Sequence, residues 1–197
     1  LASMLGMNNI SLPRVMEGKL GEFKHTLTDI GFTFEGMTQG FFYNVGELYG
    51  LLLHSPGDLL GDTAQELYIG LLTCKEQGLV RNIGISIYDP SELDSIIFRY
   101  PMDLVQAPFN VLDCRFESSG WLGRLKNEGV QVHVRSVFLQ GLLLLSQDKL
   151  PVKFHRWNTH WNQWQDWLDE NQTSALKTCL LFAMSRTQID RVIVGVD

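Results

Sequence analysis

The sequence predicts an α/β fold with parallel strands, a partial or degenerate (β/α)8 barrel, and three observations lead there. Short apolar runs end on polar residues: LLLH at 51–54, NIGIS at 82–86, DLVQ at 103–106 and VQVHVR at 130–135, with VIVGV at 192–196. The stretches between them carry helical spacing and capping residues, and none reads as a β-hairpin turn. The polar residues fall at the carboxyl ends of the runs, where parallel barrels carry their chemistry.

Each element follows from local signals. The first clear strand, Leu48–Leu53, leads through His54-Ser55-Pro56-Gly57 into a helix. Asp62 or Thr63 caps that helix, Leu67, Leu71 and Leu72 recur at helical spacing, and Gly78 stops it. A strand at 82–86 precedes Asp89-Pro90-Ser91-Glu92, which opens a second helix with proline near its first turn. A strand at 103–106, a helix at Trp121–Asn127 ending before Gly129, and a strand at 130–135 come next. A long helix at 157–171, another at 174–185 and a strand at 192–196 complete the series. The first 47 residues read poorly because Gly6, Gly18, Gly21, Gly31, Gly36, Gly40 and Gly46 interrupt them. A helix near 34–42 and a short strand at 15–19 are the expectations there. A complete TIM (β/α)8 barrel takes about 250 residues. With 197 residues and five credible strands, the chain reads as one domain over 1–197. Residues 1–47 are its irregular part, residues 48–197 carry the barrel elements, and the first units and last helix of the full barrel are lacking.

Composition narrows the function. With 45% hydrophobic and 19% charged residues, the chain has the make-up of a globular protein with a real core. A net charge of −6 argues against general affinity for nucleic acid but leaves room for an anionic cofactor held by a local cluster of amides and cations. Cys74, Cys114 and Cys179 form no CxxC pair and read as reduced thiols. No apolar run reaches membrane-spanning length and the start lacks a signal-peptide pattern, so the expectation is a cytoplasmic protein without a membrane partner. An open sheet edge in an incomplete barrel invites self-association.

Several residues could carry chemistry. His54, straight after LLL, stands where an imidazole can donate a hydrogen bond to a substrate carbonyl. The alternative is a rim histidine satisfied by its own loop. Ser86 and Gln106 end adjacent strands, and a hydroxyl and an amide there can together bind a carboxamide. Arg135, with Ser136 after it, offers a planar cation for stacking or for a pyrophosphate; its alternative is an ion pair with Asp113 or Glu117. Gly141 would allow close approach of the backbone to phosphate oxygens. His133 lies inside a strand and reads as structural. His155 and His160 are five residues apart, off one helix face, and no carboxylate or thiol completes a ligand set, so no metal is expected. Trp157, Trp161, Trp164 and Trp167 share a broad helix face, either a packing stripe or an aromatic platform for a substrate. Neither GxGxxG nor GxSxG occurs, which argues against a Rossmann dinucleotide site and an α/β-hydrolase nucleophile.

LLLH, VRNIGIS, LVQAPFN, VHVRSVFLQGLLL and IDRVIVGV, in this order and spacing, resemble the aldo-keto reductases, above all a bacterial branch whose seventh strand reads VRSVFLQGLL. The resemblance covers residues 48–197. It implies reduction of an aldehyde or ketone with NADPH or NADH, the small carbonyl compound being the substrate. His54 would orient the carbonyl, and Ser86 and Gln106 would grip the nicotinamide amide. Arg135, standing where many members have a stacking tyrosine, would meet the cofactor with Ser136. Phe138, Leu139, Gln140, Gly141 and Leu142 match the loop that wraps the pyrophosphate. Three departures stand out. Ile87 replaces the asparagine that usually follows the serine, with Asn110 as a substitute or merely an Asx turn. The stretch DTAxxYG, which carries the catalytic aspartate and tyrosine acid, is absent, and Tyr43 and Tyr49 are not at strand tips. Lys19 falls roughly where the catalytic lysine belongs, or is an ordinary surface lysine. Without the acid, weak or absent turnover is expected, which leaves a non-catalytic nucleotide-binding or interaction module as the other reading.

Overall fold

The computed structural model describes residues 48–194. In chain order these form β1 (Leu48–Leu53), α1 (Ala64–Glu76), β2 (Val80–Ser86), β3 (Leu104–Pro108), α2 (Arg115–Ser118), α3 (Trp121–Asn127), β4 (Gln131–Arg135), α4 (Asn158–Glu170), α5 (Ala175–Met184) and β5 (Arg191–Val192). The strand expected at 15–19, the helix expected at 34–42, Lys19 and Tyr43 lie outside the described residues.

The five strands make one sheet in the order β1-β2-β3-β4-β5, with every neighbouring pair parallel. This is part of a barrel wall. Leu53 pairs with Ile85, Ser86 with Gln106, and Pro108 with Arg135, so the carboxyl ends of β1 to β4 finish together. Alternate residues face opposite sides. Ile83 and Ile85 of β2, Val105 and Ala107 of β3, and Val132 and Val134 of β4 are almost wholly inaccessible and belong to one core with Leu71, Cys74, Leu122 and Leu125 of the helices. Burying each such aliphatic side chain contributes about 1.5–3 kcal/mol. The other face carries Asn82, Ser86, Gln106, Gln131, His133 and Arg135. Between β2 and β3 the approach is close: a Cβ on Gly84 would lie 2.1 Å from the Leu104 carbonyl oxygen. Only glycine fits there.

The amino end of the sheet is built twice on one plan. Helix α1 stops at Gly78 (φ +68), and the Leu79 amide reaches back to the Cys74 carbonyl at 3.0 Å. Helix α3 stops at Gly129 (φ +75), and the Val130 amide reaches the Leu125 carbonyl at 2.9 Å. Left-handed glycine lets the chain reverse while the last helical carbonyls stay satisfied. An aspartate then clamps each strand. Asp103 accepts from the Ile83 amide at 2.9 Å while its own amide donates to the Ile83 carbonyl at 2.9 Å, and Lys75 of α1 pairs with its carboxylate at 2.6 Å. Asp190 does the same to Val132, both bonds at 2.8 Å, with Lys126 of α3 at 2.7 Å.

Two expected elements differ. The second helix shrinks to a 3-10 turn, Pro90–Leu93, although its capping box forms, with Asp89 accepting from Ser91 and Glu92 returning to the Asp89 amide. Beyond it the chain mixes three- and four-residue closures, Ile96 and Ile97 both bonding to Leu93 and Tyr100 to Ile96, without settling into a regular helix. The periodicity survives in the packing: Leu93, Ile96, Ile97 and Tyr100 are all buried. The last strand is Arg191–Val192 rather than 192–196. Ile193 still donates to Val134 at 2.7 Å, but β4 turns away at Ser136 (φ 61), so the partner ends, and residues 195–197 lie outside the described part. At the start of α1, Thr63 takes the cap position without a side-chain capping bond.

Candidate active site

Ser86 and Gln106 are in register at the ends of β2 and β3, and the Ser86 hydroxyl donates to the Gln106 side-chain oxygen at 3.2 Å. Ser86 is buried and Gln106 half-buried. His54 follows β1 one step beyond the Leu53–Ile85 pair and is exposed. Its ring lies 5.8 Å from that of Tyr88, tilted by 46°. The Arg135 guanidinium also sits 4.5 Å from the Tyr88 ring centroid, in cation–π range. Arg135 is anchored, donating to the Ile87 carbonyl at 2.9 Å and the Ser136 hydroxyl at 3.3 Å. The ion pair considered for it goes elsewhere. Asp113 binds Arg115 at 2.9 Å, and Glu117 binds Arg186 at 3.0 Å.

After β4 the backbone is unusual. Ser136, Leu139, Gln140 and Gly141 have φ of 61, 48, 58 and 82°, three of them non-glycine residues in the left-handed region. Each such residue costs about 1–3 kcal/mol, and such strain concentrates at functional sites. Leu139 and Leu142 donate within the turn, but the amides of Gln140 and Gly141 find no acceptor among the described residues. Nothing stands within 4 Å of where a Gly141 side chain would project, so that flank of the turn is open. Phe138, Leu139 and Leu142 are half-buried and Gln140 is exposed. Asn110, fully buried, braces the turn by donating to the Ser136 carbonyl at 3.1 Å, and its oxygen accepts from the Leu112 and Asp113 amides. That makes it an Asx turn, occupied with the loop rather than pointing to a carboxamide.

Charge at the rim is balanced locally. Arg115 joins Asp113 at 2.9 Å and Asp89 at 2.7 Å, tying the loop after β3 to the loop after β2. The hydrogen bond from Arg115 holds the Asp113 carboxyl below its usual range, and hydrogen bonds from Ser91, with Arg115 adding, do so for Asp89. His133 lies deeper on the same face, 4% exposed and stacked on Tyr49 at 5.9 Å; Tyr49 hydrogen-bonds Gln131 and lies under Arg191 at 4.1 Å. Burial, and next the Arg191 cation, push the His133 imidazole toward the neutral form, with Asp190 opposing. Its Nε2 has no partner among the described residues. His155 bonds the Leu150 carbonyl at 3.1 Å, and no metal-ligating cluster forms among the described residues. The tryptophan stripe divides: Trp161 is buried at 4%, Trp157 and Trp167 are exposed, and Trp164 donates to the Leu143 carbonyl at 3.1 Å.

The structure thus brings His54, Ser86, Gln106, Arg135 and residues 136–142 to one end of the sheet. Sequence reasoning missed Tyr88, although an aromatic residue two positions after a strand-tip serine was a signal. Trp164 was named only as part of a stripe, packing or aromatic platform, and its bond to the loop some twenty residues back was not foreseen; Gln165 was missed altogether.

The family model of the aldo/keto reductases matches residues 50–197. Among solved structures, the holo form of an aldo-keto reductase from Bacillus halodurans is similar with a TM-score of 0.58 at 21% identity, covering 76% of this chain and 48% of that one. A glycerol dehydrogenase from Gluconobacter oxydans is similar with a TM-score of 0.53 at 17% identity, covering 75% and 49%. The chain spans about half the length of these structures, and at such identities the likeness is one of fold. No curated protein sequence matches. The family model reaches across most of the chain, through the strand ends and the loop just described, and the chain belongs to the aldo/keto reductase family.

Proposed function

We propose that the carboxyl rim binds a reduced nicotinamide dinucleotide, NADPH or NADH, and serves reduction of a small aldehyde or ketone. The observation that carries this reading is the Ser86–Gln106 pair, 3.2 Å apart at adjacent strand ends, on the same rim as a left-handed turn with two unclaimed amides. The residues fit the group. Once Ser86 donates to Gln106, the amide nitrogen of Gln106 is left to donate to a carboxamide oxygen. The Gln140 and Gly141 amides suit phosphate oxygens, and Arg135 supplies the nearby cation. When bound, the cofactor supplies the hydride. His54 would donate a hydrogen bond to the carbonyl oxygen, polarising the carbon for attack. Tyr88, held by Arg135, would form a wall beside it.

The developing alkoxide needs a proton, help typically worth about 10²–10⁴-fold. The resemblance gives that task to a tyrosine beside a lysine. Lys75 and Lys126 are paired with Asp103 and Asp190 at the opposite end of the sheet, and Lys19 lies outside the described residues. This favours a second reading, a nucleotide-binding module without turnover. Titrating NADPH by fluorescence quenching, with oxidation of NADPH by a simple aldehyde followed alongside, separates the two. Saturable binding with turnover supports the reductase, and binding alone supports the module. A chain that does not bind either nucleotide contradicts both.

A further inference from the structure

We propose that Trp164, aided by Gln165, is a positioning residue for the cofactor's pyrophosphate: it holds the turn that follows Leu139, Gln140 and Gly141 and so keeps the left-handed backbone that leaves the Gln140 and Gly141 amides without an acceptor among the described residues. The inference rests on the cofactor reading above and deepens it.

Left-handed backbone at Leu139 and Gln140 (φ 48 and 58°) is unfavourable for residues with a Cβ, so it persists only where both flanks are constrained. On the amino side Asn110 holds the Ser136 carbonyl at 3.1 Å, and the Leu139 amide closes back on that same carbonyl at 2.9 Å. On the carboxyl side Leu143 is fully buried and its amide bonds the Phe138 carbonyl at 3.2 Å. That half of the constraint is completed from α4. The Trp164 indole donates to the Leu143 carbonyl at 3.1 Å, and the Gln165 amide donates to the Leu145 carbonyl at 3.4 Å. Trp164 is itself steadied by Trp167, stacked 3° from parallel with centroids 6.0 Å apart. Releasing the Leu143 carbonyl would let the turn relax toward ordinary right-handed backbone, which redirects the two amides. An anion site made of backbone amides gains its affinity from such preorganisation.

The test uses the full chain with Trp164→Phe, which removes the indole N–H and keeps an aromatic ring, and Trp167→Phe as control. We expect Trp164→Phe to weaken NADPH binding about five- to tenfold, the scale of one hydrogen bond, and Trp167→Phe to stay within about twofold of wild type. Amide hydrogen exchange at saturating NADPH supplies the readout that general destabilisation would not give. Protection of residues 136–141 should fall in Trp164→Phe while protection of residues 86–88 persists. Gln165→Leu, which leaves the tryptophan in place, should shift affinity the same way by about twofold and stands in should Trp164→Phe not fold. Unchanged NADPH affinity in the folded variant, or equal loss of protection in both segments, overturns the proposal. A wild-type chain that does not bind NADPH instead refutes the cofactor reading itself.

Discussion

At the amino end of the sheet, Asp103 and Asp190 each exchange two hydrogen bonds with the backbone of a neighbouring strand, one through the carboxylate, and take a lysine from the helix before that strand. At the carboxyl end, His54 stands exposed, Gln106 and Arg135 stay half-buried, and the turn at 139–141 holds unfavourable backbone with amides lacking an acceptor. One end satisfies its polar groups and the other leaves them available. In parallel barrels this division separates stability from chemistry, because loops at the carboxyl end can vary while the opposite end keeps the strands in register. The two ends of this molecule should therefore respond differently to mutation.

The largest effect on folding is expected at the amino end. Asp190→Ala leaves the Val132 amide without its side-chain acceptor and Lys126 without a partner. The partly exposed ion pair itself is worth little. The lost acceptor should lower unfolding stability by about 1–3 kcal/mol, read by urea denaturation, with NADPH affinity unchanged. An equal loss of cofactor affinity would erase the distinction between the ends. The reverse pattern is expected for Arg135→Met, which keeps the stem and removes the guanidinium. NADPH binding should weaken about tenfold, near 1.4 kcal/mol, and this loss should exceed any fall in stability from releasing the Ile87 carbonyl.

These contrasts follow the line between what the residues displayed and what they concealed. Strand β1 and helix α3 were legible to the residue because Pro56, Gly129 and the apolar runs mark their limits locally. The strand-tip residues His54, Ser86, Gln106 and Arg135 were legible because parallel strands present their ends on one side. The second helix and the last strand were not: beyond Leu93 three- and four-residue closures mix, and β4 departs at Ser136. Arg135 illustrates the limit. Its candidate partners Asp113 and Glu117 were reasonable, but Arg115 and Arg186 hold them, and Arg135 bonds the Ile87 carbonyl instead. Competition among partners distant in sequence leaves no local signature.

A smaller effect should appear with pH. Burial, with Arg191 nearby, favours neutral His133, so the folded chain binds that proton less tightly than the unfolded one. The unfolded state then takes up more protons, and stability falls as pH drops below the unfolded value of about 6.5 through the lower folded value. The slope is at most about 1.4 kcal/mol per pH unit, and His133→Phe, which can keep the stacking on Tyr49, should flatten it. A slope that survives the substitution would place the sensitivity elsewhere. The smallest effect concerns Arg115→Gln. It frees Asp113 and Asp89, whose depressed proton affinities contribute stability above about pH 3.9 that is lost on acidification. Arg115 and Asp89 are exposed and Asp113 is only partly buried, so the change at neutral pH should be small, while the acid midpoint moves upward.

The most direct test of the central claim is amide hydrogen exchange of the whole chain with and without NADPH. Slowed exchange is expected at residues 86–88 and 136–141, with no change around Asp103 and Asp190. Unaltered exchange at both rim segments under NADPH concentrations that quench fluorescence, or protection confined to the amino end, would contradict the assignment of the carboxyl rim as the nucleotide site.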